Sequence, residues 1–351
     1  MLGFVSDTTM QAIVQTGKET IEIQDPPEPE PAADEVLIRV HHAGLCGSDV
    51  HAYEYSEGFE WVKIPRVMGH EYTGKVVAVG KSVDDIAVGD TVVEEPIHPC
   101  GSCFQCKSGE WNVCQDTTLV GMETDGAYRE YTTVSAEHVH TAPDTVSSKQ
   151  LAITEPLSVA TRAVYERSDV TPGDNVLVEG PGPIGALIAA VGNVVGANVT
   201  VSGIDKDSTY RLPLLAEMGV DTVDVSSTPL TDVADAATDG LGFDAVFDST
   251  GHKSGIPTGV DVVRKGGNLV VVGLPDGASD LRFTPVVRGE IDIISSYGAL
   301  WTDFERSMQL LESGRLNLSW IVDTGYSITD PQEAIDDFRA GQTIKPIFDF
   351  T

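Results

Sequence analysis

The chain has five cysteines, and four of them fall within fifteen residues as Cys100-x2-Cys103-x2-Cys106-x7-Cys114. Inside a cell, thiols this close seldom form disulfides and more often hold a metal. Four thiolates satisfy the closed tetrahedral preference of a structural zinc and leave no position for water or substrate. Gly101 and Gly109 allow the tight turns that such spacing requires. A redox or iron–sulfur role and a metal-free role are the alternatives. A closed site points to stability rather than catalysis.

The fifth, Cys46, opens the run Cys46-Gly-Ser48-Asp-Val-His51, and twenty-four residues after it comes His70-Glu71, following Gly69. Taken singly, a cysteine is most often a small buried hydrophobe, and a His-Glu pair is ordinary surface. Beside a four-thiolate lobe they acquire another meaning. Cys46, His70 and an acidic ligand could supply a thiolate, an imidazole and a carboxylate with one position open. Such a centre polarises an oxygen bound there and lowers its pKa.

A third constellation is Gly180-Pro-Gly182-Pro183-Ile184-Gly185. A G-x-G-x-x-G match alone is weak, but this one follows the apolar run Asn175–Glu179 and opens the apolar stretch from Ile184. The first glycine makes the turn, the second lets a pyrophosphate approach the backbone, and the third lets helix and strand pack closely. The helix N-terminus adds donors and a favourable dipole. At the end of the next strand, Gly203 stands where a carboxylate would hold a ribose, with Asp205 two residues on. A missing carboxylate leaves room for a 2′-phosphate, with Lys206 or Arg211 as cationic partner, and this favours NADP. With the loop shifted, Asp205 instead binds a free ribose diol, as in NAD.

These residues need a scaffold, and 351 residues suggest about two domains. From Glu35 to Val93 short apolar runs alternate with glycine turns, which reads as an all-β region. The Pro- and Glu-rich stretch 25–31 is a loop, and Met1–Thr9 an extension. A helical period starts near Thr154-Glu155-Pro156. Beyond it, the strands Asn175–Glu179, Asn198–Ser202, Ala245–Phe247 and Asn268–Gly273 alternate with helix-length stretches. That order predicts a parallel, doubly wound sheet. A helix near Trp301–Ser313 follows. His98, His138, His140 and His252 lack metal-site spacing and read as structural.

Fifty-four acidic residues against twenty-two basic ones give a net charge of −32. Nucleic-acid binding is disfavoured, because phosphate contacts need Lys and Arg. The acids are scattered, as in Asp84-Asp85, Glu94-Glu95 and Asp336-Asp337, and read as a solvated surface. Screening relieves the self-repulsion of so many acids, so the composition fits a salt-loving archaeal cytoplasm. No apolar run reaches the roughly 18–20 residues of a membrane span, and the first residues lack a secretory pattern. The expected location is cytoplasmic.

Over essentially the whole chain from Met10, these motifs in this order resemble the zinc-containing medium-chain dehydrogenase/reductase family, alcohol dehydrogenase-like. Gly69-His-Glu-Tyr72 and Glu155-Pro-Leu-Ser158 look most like its polyol (sorbitol) and threonine dehydrogenase branch. The resemblance implies an α/β protein: a GroES-like β-rich catalytic domain over 1–156, with a structural zinc lobe at 96–115. It implies a Rossmann NAD(P)-binding domain over 157–295 and a segment 296–351 completing the catalytic domain. It also implies a catalytic zinc on Cys46, His70 and Glu71, with Glu155 binding the metal directly or through its water. In the implied reaction Ser48 accepts the alcohol proton, His51 passes it to solvent by way of the cofactor ribose, and hydride goes to the nicotinamide.

The substrate class so implied is a secondary alcohol, a polyol or sugar alcohol. Threonine and glucose oxidation within the family are alternatives, and a non-catalytic nucleotide-binding redox sensor is another. The loop Tyr53–Lys63 carries no deciding motif, and its Glu54, Glu57 and Glu60 read as solvated acids or as hydroxyl binders. Family members are commonly homodimers or homotetramers, with neither nucleic acid nor membrane as partner.

Overall fold

The computed structural model describes residues 8–275 and 277–351; most of the expected N-terminal extension, residues 1–7, lies outside them. Apolar runs built the first body. The strand Glu35–Gly44 buries Val36, Ile38 and Val40 completely and pairs antiparallel with Glu71–Val79, Tyr131–Ser135 and Lys345–Asp349. The opposite face is mixed, with Leu37 buried but Arg39 exposed. Its register sets Gly44 opposite both Glu71 and Ile347. The segments that flank Gly44 in three remote stretches of chain therefore meet at one strand end.

The region expected to be all β also holds a helix, Gly47–Glu54. Cys46 precedes it in extended conformation, and its N–H donates to the Asp49 carboxylate at 3.3 Å, a local bond that starts the first turn. Val50 and Tyr53, three residues apart, face inward.

The second body is a six-stranded, wholly parallel sheet. Its order is Asp221–Asp224, Asn198–Gly203, Asn175–Glu179, Phe243–Asp248, Val263–Val271 and Asp292–Ser295. The strand order reverses beside Asn175–Glu179, and ligands bind outside the carboxyl ends of strands at such a point. The helix Pro183–Val195 is apolar all round because it lies between this sheet and the helix Thr154–Tyr165.

After Ser295 the chain enters the helix Trp301–Glu312, which packs on Thr154–Tyr165 through Ser307–Thr161 and Arg162–Asp303. Strands Val322–Ser327 and Lys345–Asp349 then return to the first sheet.

One expectation about charge fails. Glu94 and Glu95 are not solvated but 2% and 5% exposed. Glu94 holds His98 at 3.0 Å, and Glu95 holds His140 at 2.9 Å. A buried carboxylate needs a partner, and these two have found histidines. No helix among the described residues is long and apolar enough to cross a membrane.

Candidate active site and metal centres

Cys46 precedes the helix Gly47–Glu54, and His70 precedes the strand Glu71–Val79. The Gly44↔Glu71 pairing brings those two ends together, and one donor atom each of Cys46, His70 and Glu71 lies within 4.8 Å of the others. Ser48 sits over them, its Oγ 3.2 Å from Cys46 Sγ and 3.5 Å from His70 Nε2. Burial pushes the Cys46 thiol up, a cost that a bound cation would reverse. Glu71 Oε1 is buried with no hydrogen-bond partner. Sulfur, nitrogen and oxygen donors with an orphaned carboxylate oxygen fit a zinc ion.

Glu155, in the first turn of Thr154–Tyr165, stands outside that three-donor cluster but lines the same cavity. Burial raises its carboxyl to about 7. His51 is exposed on the cavity wall, with Nδ1 3.3 Å from Ser56 Oγ and its ring stacked 5.3 Å from Phe59.

Two residues that the sequence did not single out complete the floor. Lys345, fully buried, donates to the Leu45 carbonyl at 3.0 Å and forms an ion pair with Glu71 Oε2. Asp49, also fully buried, accepts from Cys46 N and Tyr128 Oη and lies 3.8 Å from His70 Nδ1. Asp49 lies inside the motif text and could have been suspected as a histidine partner. Nothing near Lys345 in sequence signals its role.

The four remaining cysteines converge. Their sulfurs lie within 4.8 Å of one another, with Cys103 3.4 Å from Cys106 and 3.7 Å from Cys114. Backbone N–H groups of Ser102 and Cys103 pull the Cys100 thiol down to about 6. Four sulfurs with amide donors behind them suit a closed metal site.

The cavity that ends on Cys46, His70 and Glu71 measures about 870 Å³ and runs between the two bodies. Glu54, Glu57, Phe59 and Trp61 wall it on one side; Val272, Leu274, Tyr297 and Gly298 belong to the other. A second cavity of about 530 Å³ lies at the sheet's reversal point, against Gly180, Gly182 and Gly203. Pro183 and Ile184 begin the helix there, with Gly182 as its cap. Gly185 is required, because a Cβ would lie 1.9 Å from the Gly180 carbonyl oxygen.

Of the four candidates near Gly203, Gly203 itself ends its strand and Lys206 lines this second cavity. Asp205 is exposed and is not among the lining residues. Arg211 lines the cavity, but its guanidinium is held by the Thr343 and Phe338 carbonyls and by Asp207. Glu179, beneath the glycine turn, is neutralised: burial, then the charge of Asp248, raises its carboxyl to about 9.

Comparison with known proteins agrees with this geometry. Residues 32–144 match the alcohol dehydrogenase GroES-like domain, and residues 183–313 match the zinc-binding dehydrogenase family. A sorbitol dehydrogenase of Halalkalibacterium halodurans is 33% identical, covering 96% of this chain and 98% of that protein. A D-arabitol-phosphate dehydrogenase of Enterococcus avium is 33% identical over 90% of each chain. The solved structure of a zinc-binding dehydrogenase from Sinorhizobium meliloti, bound to NADP, superposes with a TM-score of 0.90 at 26% identity, covering 98% and 100% of the two chains. With a GroES-like body, a Rossmann sheet, two zinc-type donor sets and a nucleotide cavity, the chain belongs to the zinc-containing medium-chain dehydrogenases, oxidoreductases that move hydride between an alcohol and NAD(P).

Proposed function

We propose that this enzyme oxidises an uncharged polyol at a secondary hydroxyl. The observation that carries the reading is the lining of the larger cavity. His51, Phe59, Trp61 and Tyr297 offer ring faces for C–H groups, and Glu54 and Glu57 offer acceptors for hydroxyls. No Lys or Arg is among the described lining residues. The nearby Arg339 is already paired with Glu54 at 2.8 Å. A phosphate or carboxylate on the substrate would be desolvated here against like charge. The test is a set of matched pairs in molar salt: sorbitol with its 6-phosphate, and D-arabitol with its 5-phosphate, alongside threonine and glucose. We expect kcat/KM to favour the neutral polyol by at least about tenfold. A preference for either phosphate, for threonine or for glucose would overturn this reading.

Cys46, His70 and Glu71 would hold a zinc ion, which would supply Lewis-acid polarisation of the alcohol oxygen, and a bound NAD(P) would supply the hydride acceptor. Ser48, placed over Cys46 and His70, accepts the hydroxyl proton while giving up its own towards the cofactor ribose. His51, exposed on the cavity wall, hands it on towards solvent. Glu155's position outside the three-donor cluster supports contact through water over direct ligation. Cys100, Cys103, Cys106 and Cys114 hold the second zinc, in a structural role.

For the cofactor, the reading is NADP. Gly203 leaves no carboxylate at the strand end, Lys206 stands at the cavity, and Asp205 is not among the residues that line it. Arg211 is assigned to fixing the loop rather than to a phosphate. In the same reading, 1–156 and 296–351 form the catalytic unit and 157–295 the nucleotide unit. Phe283 and Val287, exposed apolar side chains on the helix Phe283–Gly289 that precedes the edge strand Asp292–Ser295, support a homodimer or homotetramer. The charge of −32 supports a cytoplasmic, salt-adapted protein without nucleic-acid partners.

A further inference from the structure

Asn112 lies in the short turn Trp111–Val113 that leads into Cys114, and it is only 4% exposed. Its Nδ2 donates to the main-chain oxygen of Tyr297 at 2.7 Å, across 185 residues of sequence. Tyr297 belongs to Ser296-Tyr297-Gly298, which leaves the last strand of the parallel sheet and walls the larger cavity. A second contact secures the same segment. Gly298 has φ +57, and a Cβ there would lie 2.6 Å from Ile97 Cδ1 and 3.6 Å from Asn112 Cβ. Ile97 opens the small hairpin Ile97–His98/Thr118–Leu119 that brackets the four-cysteine lobe. One wall of the substrate cavity is thus tied to the lobe at two points, although no lobe cysteine lines that cavity.

We propose that Asn112 is a positioning residue, through which the four-cysteine lobe holds the segment Ser296–Gly298 in the shape that receives the alcohol. The lobe thereby acquires a second task besides stability. A short segment between a strand end and a helix start has few bonds of its own, so one directed amide–carbonyl bond restricts it strongly. Because the segment continues directly from the last strand of the parallel sheet, the link also ties the end of that strand to the lobe and fixes how the cavity walls face each other.

The test is amide hydrogen exchange of the zinc-loaded enzyme, compared with Asn112→Ala and with Asn112→Asp, which keeps the shape but removes the donor. Exchange over Ser296–Leu300 should quicken by about tenfold in both, with metal content and exchange in the parallel sheet unchanged. With sorbitol as probe, KM should rise about fivefold while kcat changes less than twofold. Gly298→Ala, which presses the segment off Ile97 with Asn112 intact, should reproduce the local quickening and guards against a variant that does not fold. Parent-like exchange over Ser296–Leu300 in metal-loaded Asn112→Asp would overturn the proposal. So would quickening spread evenly over the catalytic body, the mark of a merely structural residue.

Discussion

Glu71 answers to two charges at once. One carboxylate oxygen is paired with Lys345 in a fully buried contact, and the other has no hydrogen-bond partner. The pairing anchors the side chain, so the free oxygen is presented beside Cys46 and His70. Changing Cys46→Ser or His70→Ala should cost on the order of a thousandfold in kcat/KM while circular dichroism stays native. Metal analysis should find the lobe's zinc retained and the other lost. Cys103→Ser should do the reverse, lowering stability by ~3 kcal/mol or more before it touches chemistry. Glu179 makes a different prediction. Its folded value of about 9 exceeds the ordinary 4.5, because burial and then Asp248 penalise the charged form. Between those values the folded state holds a proton that the unfolded state has released, so stability falls as pH rises through this window. Glu179→Gln should remove that slope, and its thermal midpoint should exceed the parent's at pH 8 but match it near pH 4.

Among the connecting elements, the turn at Gly69 is packed closely against an aromatic ring. Its φ is +91, and a Cβ would lie 2.1 Å from the Tyr128 ring. That ring's hydroxyl in turn reaches the Gly44 carbonyl at 2.7 Å and Asp49 at 3.0 Å. Turn, aromatic wedge and helix start are one assembly around His70. Gly69→Ala should therefore cost ~2–4 kcal/mol, seen as a lower denaturant midpoint, and should weaken zinc retention at His70 as well. The helix Gly47–Glu54, which carries Ser48 and His51, was not legible from pattern. Its apolar residues are too few to set a period, and the Asp49 side chain bonding the Cys46 N–H starts it instead. The strand Asn175–Glu179 and the helix Pro183–Val195 were legible, because apolar runs broken by glycines admit few other structures.

Across the chain, acidity is the dominant field. At −32 the folded surface repels itself, and the Debye length shrinks from about 10 Å at 0.1 M salt to about 3 Å at 1 M. The thermal midpoint should accordingly rise by ~10 °C between 0.1 M and 2 M KCl and then level off. A midpoint indifferent to salt would count against a salt-adapted protein. Not every acid belongs to that surface, since Glu94 and Glu95 sit inside with His98 and His140.

Composition and spacing singled out the four clustered cysteines, the Cys46–His70 pair, the glycine turn and a change from strand-rich to strand–helix texture, whereas Glu71 as a donor came only with the family resemblance. Thiol clusters and glycine turns are local chemistry, and their meaning depends on residues a few positions apart. Lys345 behind Glu71, Asp49 beside His70 and Asn112 beneath Tyr297 lay beyond that reach. For Lys345 and Asn112 the partner is far more than a hundred residues away, and for Asp49 a strand register had to bring His70 alongside. The same holds for Glu95, whose partner His140 lies 45 residues on, because whether a carboxylate faces water or a distant histidine is decided by packing.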